Sequence, residues 1–391
     1  MTTIKGMKKY EAEMIELRRD FHMHPEIGFD LERTAGRVEE KLKEYDAFEI
    51  ISGIAKTGIV AVFDSDRPGK TVAIRADMDA LPMDDKIDKP YRSKVIGAAH
   101  TCGHDAHTAI LLGVAHYISD HQEEFSGRIK LLFQPSEEGQ PTHGAPEVIK
   151  SGVLNDCDAI FGLHVDTAYR YGQVGIRYGP LYAGSTAFSI TINGCGGHGA
   201  YPHMTKDPVI AAAQIICDAQ TIVSRNTDPM GAAVVTFGSV NGGYAENVIP
   251  DKAVLRGTTR AVDQQILLNN QEQLNKIFDS ICTMNGCTYD LKHKITTPVL
   301  YNDKELTAIT EEEAVRLLGR DQVIIQDHAE MGGEDFAYYC DLAPCSFFIL
   351  GVSNEEINNY CHHPEFDLDE RALVIGASIL AASAQRIAQK K

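Results

Sequence analysis

Ile129-Lys130-Leu131-Leu132-Phe133-Gln134-Pro135-Ser136-Glu137-Glu138-Gly139 is the stretch on which the reading of this chain turns. Residues 129–133 form an apolar run broken only by Lys130, with the length of a strand rather than a helix. Pro135 and Gly139 then break regular structure and leave two adjacent carboxylates at the strand's exit. Short apolar runs at 58–63, 71–76 and 159–163 repeat the theme. Helical periodicity at 9–23, 30–45 and 105–118 separates some of them. Strands alternating with helices predict an α/β sheet with parallel strands. Ligands of such open sheets bind beyond the strands' carboxyl ends, where the polar clusters of this chain fall.

The texture changes near Gly179-Pro180. From there the pattern is strand 185–192, helix 208–223, strands 232–240 and 253–259, helix 264–284 and strand 288–295. That β-α-β-β-α-β order is ferredoxin-like and predicts an inserted α+β domain. The α/β texture resumes with a helix at 303–318, a strand at 346–351 and a final helix from Glu370. The predicted domains are therefore 1–180, 181–297 and 298–391, the first and third being two segments of one catalytic domain.

The 391 residues carry a net charge of −18, which argues against a nucleic-acid partner, since phosphate binding needs a basic surface. No run approaches the roughly 20 apolar residues of a membrane helix, and residues 1–14 do not read as a signal peptide, so the expected address is cytoplasmic. Nine cysteines without a dense framework point to buried thiols rather than disulfides.

The chemistry concentrates in His100-Thr101-Cys102-Gly103-His104-Asp105-Ala106-His107, where a thiol, imidazoles and a carboxylate crowd the start of a predicted helix. Cys and His are the usual ligands of zinc and similar metals. Glu137 and Glu138 point in different directions, so one can bind metal while the other acts as a base. His164 closes the predicted strand 159–163, and His362 and His363 follow Cys361 far along the chain. Singly, each histidine reads more simply as structural, and the Glu-Glu pair as a solvated turn. Together they place carboxylates and imidazoles at strand ends, as a metal site requires. His22 and His24 read as caps or braces of the first helix, and His107 as a helix-face residue or one that backs the ligands.

These residues resemble the M20 metallopeptidase family, in its amidohydrolase branch. The matching motifs are His24-Pro25-Glu26, Arg75 to Pro82, His100 to His107, Gln134 to Gly139, Gly162 to Val165, Gly196 to Ala200, Asn247 to Pro250, Gly333-Glu334-Asp335-Phe336 and His362 to Phe366, in the family's order. The resemblance implies a phosphorylase/hydrolase-like metallopeptidase catalytic domain with an inserted ferredoxin-like lid and dimerisation domain. It implies two divalent ions per subunit, which the ligand types leave open among zinc, manganese, cobalt and nickel. Cys102 would bridge them, and His104, Glu138, His164 and His362 would complete the ligands. Glu137 would be the general base, and Asp77 the acidic residue beneath the site, orienting a ligand imidazole. His198 would reach across a homodimer, or a higher homo-oligomer, to the substrate carbonyl. Asn247 and Arg260 would hold the substrate carboxylate. The implied reaction is hydrolysis of small N-acyl amino acids, with a dipeptidase or aminopeptidase on the same site as the alternative.

The chain departs from the family pattern at 140–146, in the loop after His164, and at His363. Gly194-Cys195-Gly196-Gly197-His198-Gly199 matches a dinucleotide fingerprint in form, but Pro202 interrupts the helix that such a fingerprint must open. The glycines are expected instead to let backbone approach a substrate and to present His198.

Overall fold

In the computed structural model, which describes residues 6–390, the short apolar runs become neighbours in one eight-stranded sheet. Its strands, in chain order, are β1 (Glu49–Ile54), β2 (Gly58–Asp64), β3 (Thr71–Asp77), β4 (Arg128–Gln134), β5 (Ala159–Arg170), β6 (Val174–Ile176), β13 (Val323–Ile325) and β14 (Cys345–Ser353). Their order across the sheet is β1-β2-β4-β3-β5-β14-β6-β13. They belong to a unit made of Met1–Gly179, Tyr301–His328 and Asp335–Lys391.

The expectation of parallel strands holds for β4, β3, β5 and β14, and fails at the flanks. β1, β2 and β4 pair antiparallel, and β6 runs against β14. The cause at β1 is the length of its connection to β2. Three residues make a hairpin, whereas a parallel pair needs a crossover of about a dozen. Ala55 and Lys56 supply the turn with φ of 46° and 79°, without the Asn-Gly signature that reveals such hairpins in sequence.

Helices α1 (Glu11–Met23), α2 (Glu32–Tyr45), α3 (His104–Asp120), α4 (Ala145–Ser151), α7 (Lys304–Leu318) and α8 (Ala372–Ala388) complete the unit. α3 is buried along nearly its whole length between α1 and α8. An apolar surface on every side suits that position. α7 starts where Asp303 accepts from the amides of Glu305 and Leu306, an N-cap of the usual kind.

The second unit comprises Pro180–Leu300 and Ala329–Glu334. β7 (Gly184–Asn193), α5 (Pro208–Asn226), β9 (Ala233–Gly242), β11 (Lys252–Ala261), α6 (Gln264–Met284) and β12 (Thr288–Thr297) give the predicted element order. The antiparallel sheet runs β9-β11-β7-β12, the ferredoxin-like arrangement, over its own core of residues such as Ile190, Ile215, Leu255 and Phe278. A separate ribbon pairs β8 (Gly197–His198) with β10 (Val248–Ile249). Among the described residues no helix is long and apolar enough to cross a membrane.

Candidate metal and catalytic site

Segment 100–107 enters α3 at its first turn. Gly103, just before the helix, has φ +89°, and a Cβ there would lie 2.3 Å from Val165 Cγ2. Glycine lets this turn press onto β5. The result sets Cys102 Sγ 3.3 Å from His164 Nε2. His164 does not close its strand, contrary to the sequence reading. β5 continues to Arg170 because β14 stays paired with it, His164 standing opposite Ile349.

His362 arrives from the other end of the chain. Its amide donates to Thr101 O at 2.7 Å, and its φ is 68°. Its Nε2 lies 3.3 Å from Cys102 Sγ and 3.3 Å from Glu138 Oε1. Two triads of donor atoms result, Cys102–His104–His164 and Cys102–Glu138–His362, and Cys102 belongs to both. Glu137 and Glu138 also group with His104.

The turn carrying the two carboxylates is strained and well held. Ser136 has φ 59°, a conformation that costs a non-glycine residue about 1–3 kcal/mol and gathers at functional sites. Its Oγ donates to Thr142 O at 2.6 Å, and its carbonyl accepts from Gly144 N at 2.8 Å. His143 Nδ1 sits 2.6 Å from Glu137 O. Asp79, to which no role was given from sequence, accepts from both amides of the pair, Glu137 N at 2.9 Å and Glu138 N at 3.1 Å. It also stands 3.3 Å from His104 Nδ1. The alternation Asp77-Met78-Asp79 at a strand's end was the available signal, since residues two apart share a face.

Asp77 is fully buried and orients an imidazole, though most directly that of His107. Its Oδ1 lies 2.6 Å from His107 Nδ1, and its Oδ2 accepts from Arg75 Nη1 at 2.7 Å. His104 Nε2 is farther off, at 3.7 Å. Val165 N donates to His107 Nε2, so Nδ1 carries the proton and donates to Asp77. Burial pushes His107 down to about 4 against the pull of Asp77, so the ring is neutral, with both nitrogens engaged. It braces α3 against β3 and β5. Among the described residues neither nitrogen of buried His100 has a hydrogen-bond partner, and burial pushes the ring down to about 3. His22 braces α1, its Nδ1 2.6 Å from Asp105 and its Nε2 3.3 Å from Asp85. Among the free thiols, Cys195 and Cys217 are exposed rather than buried.

The donor set fits divalent cations. Among the described residues, His104 Nδ1 and Glu138 Oε1 have only Asp79 and His362 at 3.3 Å, without well-aligned hydrogen bonds, and His104 Nε2 has none; a buried polar atom left unmet costs about 1–3 kcal/mol. Burial opposes charge on His104, but the carboxylates of Asp77, Asp79 and Glu138 outweigh it and hold the ring well above its ordinary pKa. The Cys361 thiol, burial and the Glu138 carboxylate all push the Cys102 thiol up, so its thiolate needs a cation. Burial likewise opposes ionisation of Glu138, and His362 and His104 outweigh it to lower its pKa.

The remaining site candidates lie in the second unit. His198 is exposed on β8, its Nδ1 accepting from Ala200 N at 3.1 Å. Gly199 N donates to Asn247 O, so the ribbon brings His198 and Asn247 together. Arg260 lies on β11 and donates to Met331 O at 2.7 Å. The glycines before His198 meet their own chain: a Cβ on Gly194 would fall 2.2 Å from Lys206 O, and one on Gly196 2.6 Å from Ile249 O. After them come β8 and a 3-10 turn at Pro202–Met204, where a dinucleotide fingerprint needs a helix.

The sequence pattern of the family described as Peptidase family M20/M25/M40 matches residues 73–386. A Bacillus subtilis protein named as an amidohydrolase, YhaA, is 38% identical over 374 residues, covering 95% of this chain and 94% of its own. The N-acetyl-L-cysteine deacetylase of the same species is 37% identical, covering 98% and 90%. Thermostable carboxypeptidase 2 of Saccharolobus solfataricus is 35% identical, covering 98% of each. Among solved structures, an aminohydrolase from methicillin-resistant Staphylococcus aureus superposes with a TM-score of 0.93 at 34% identity, covering 99% of each chain. Bacillus subtilis YXEP, a dinuclear metal-binding peptidase, gives 0.84 at 34%, covering 98% of this chain and 100% of that one. Agreement of this extent in sequence and fold makes the chain a member of the M20 family of metal-dependent amidohydrolases and peptidases.

Proposed function

We propose that this enzyme hydrolyses the amide bond of small N-acyl amino acids at a centre of two divalent ions. The observation that carries the proposal is the sharing of Cys102 between two triads of donors. A thiolate so placed can bridge two cations and offset their repulsion. His104 and His164 would hold one ion with it, and Glu138 and His362 the other. Bound ions acidify water and polarise a carbonyl. Glu137 takes the proton of the attacking water and later returns it to the leaving nitrogen. Asp79 fixes the backbone of both glutamates, so that one can serve as base while its neighbour serves as ligand. His198 would stabilise the substrate's oxyanion, and Asn247 and Arg260 its carboxylate. The second unit would act as lid and dimerisation domain.

A second reading, a peptidase on the same site, is supported by the carboxypeptidase among the relatives. A hydrolysis screen of N-acetyl and N-benzoyl amino acids against dipeptides, with each divalent metal supplied, separates the two. Turnover of peptides alone overturns the first reading. Cys102→Ala is expected to lose activity and at least one ion by metal analysis. Full retention of both ions removes Cys102 from the bridging position.

A further inference from the structure

Gly333-Glu334-Asp335-Phe336 is a motif with no part yet in the chemistry. Its aspartate begins a 3-10 helix, Asp335–Asp341, at the residue where the chain returns to the first unit. The Asp335 side chain is fully buried among donors. Arg75 Nη2 lies 2.6 Å from Oδ1. Gln134 Nε2 donates to both oxygens, at 2.9 and 2.8 Å, and Ala145 N donates to Oδ2 at 3.0 Å. Those donors are themselves fixed. Gln134 Oε1 accepts from Arg75 Nε at 3.0 Å and from Tyr339 at 2.7 Å, and Arg75 also grips Asp77. The backbone amide of Asp335 then donates to Glu137 Oε1 at 3.2 Å.

We propose that Asp335 is a positioning residue for Glu137: its clamped carboxylate holds in place the amide that orients the base. The proposal rests on the reading of Glu137 as general base. Each layer has a physical reason. A carboxylate that takes charge-assisted bonds from several fixed donors has one available position. The amide two bonds from its Cβ is therefore fixed as well. An N–H donor on a carboxylate oxygen restrains the plane of the carboxylate and so the direction of its other oxygen. Misplacing a reacting group by about 1 Å costs on the order of a hundredfold in rate. Asparagine at 335 keeps the shape but turns an N–H2 toward Gln134 or Ala145, where donor would face donor.

The experiment measures kcat, KM and metal content of Asp335→Asn, alone and with Glu137→Asp, which draws the carboxylate back from the amide. The expected result is a kcat lower by roughly ten- to a hundredfold, with KM within about twofold and the ion content of the parent. Coupling through Glu137 predicts that Asp335→Asn adds little further loss in the Glu137→Asp background. An unchanged kcat overturns the proposal, as does a loss that multiplies fully with that of Glu137→Asp. Should Asp335→Asn fail to fold, Gln134→Leu, which removes two of these bonds and no charge, is read by the same criteria. Glu137→Gln distinguishes the two levels of argument. If it retains turnover, the general-base reading fails. If it is inactive while Asp335→Asn keeps a normal kcat, only the role of Asp335 fails.

Discussion

Glu137 and Glu138 are chemically identical neighbours with different surroundings. Glu138 Oε1 faces His362, whereas Glu137 Oε1 takes the amide of Asp335. The difference predicts that Glu137→Gln lowers turnover by about two to four orders of magnitude while leaving metal content close to that of the parent. Metal analysis of the purified variant checks it, and loss of both ions would reverse the roles of the pair. The Glu-Glu dipeptide is plain in the sequence. Asp79, which holds both amides, is not, because its bonds join positions 58 and 59 residues apart.

Among the elements, the turn into α3 deserves the sharpest test. Gly103 combines φ +89° with a Cβ position 2.3 Å from Val165. Gly103→Ala therefore combines backbone strain of about 1–3 kcal/mol with a clash. A lower Tm and weaker ion retention are expected, since Cys102 and His104 flank the residue. Adding Val165→Ala should recover the part due to the clash and not the part due to φ. An unchanged Tm and ion content in the single variant would show that the turn relaxes freely. The same helix start carries Asp105, which lies 2.9 Å from Arg18 Nε and 2.6 Å from His22 Nδ1. Burial opposes its ionisation, but Arg18 and His22 outweigh this and hold Asp105 far below the usual carboxylate range. A depressed folded pKa contributes stability that is full above the unfolded value of about 3.9 and is lost as pH falls toward the folded one. The Tm of metal-free protein should thus fall as pH drops below about 5. Asp105→Asn should flatten that dependence, and an equally steep fall in the variant would assign it to other carboxylates.

At the scale of the whole molecule, the role given to His198 makes each site a product of two chains. Glu137→Gln and His198→Ala subunits, each inactive alone, should then rescue one another. Random mixing of equal amounts makes half the dimers mixed and half their sites intact, so activity should approach roughly a quarter of wild type for a two-fold dimer. Mixed dimers isolated through two different tags provide the measurement. If they are no more active than either parent, His198 serves its own chain or only shapes the ribbon with Val248.

What the sequence determined by itself is what short-range physics encodes. The apolar runs at 71–76 and 129–133, the ferredoxin-like order after Gly179 and the helix at 303–318 all appear in the structure within a few residues of their predicted bounds. Periodicity is local, so one segment suffices to show it. The two candidate clusters at 102–104 and 137–138 were legible for the same reason: their residues are neighbours in the chain. Tertiary structure alone decided the rest. It ran β5 on past His164, because a strand ends where its partner stops pairing rather than where its apolar residues end. It turned β1 and β2 into a hairpin through residues that do not announce one. It engaged both nitrogens of His107 in structural bonds, set His104 Nδ1 3.3 Å from Asp79, and joined Arg75, Gln134 and Asp335 across 201 and 260 residues. Such assignments depend on which buried donor finds which acceptor, and that is fixed only when distant segments pack together.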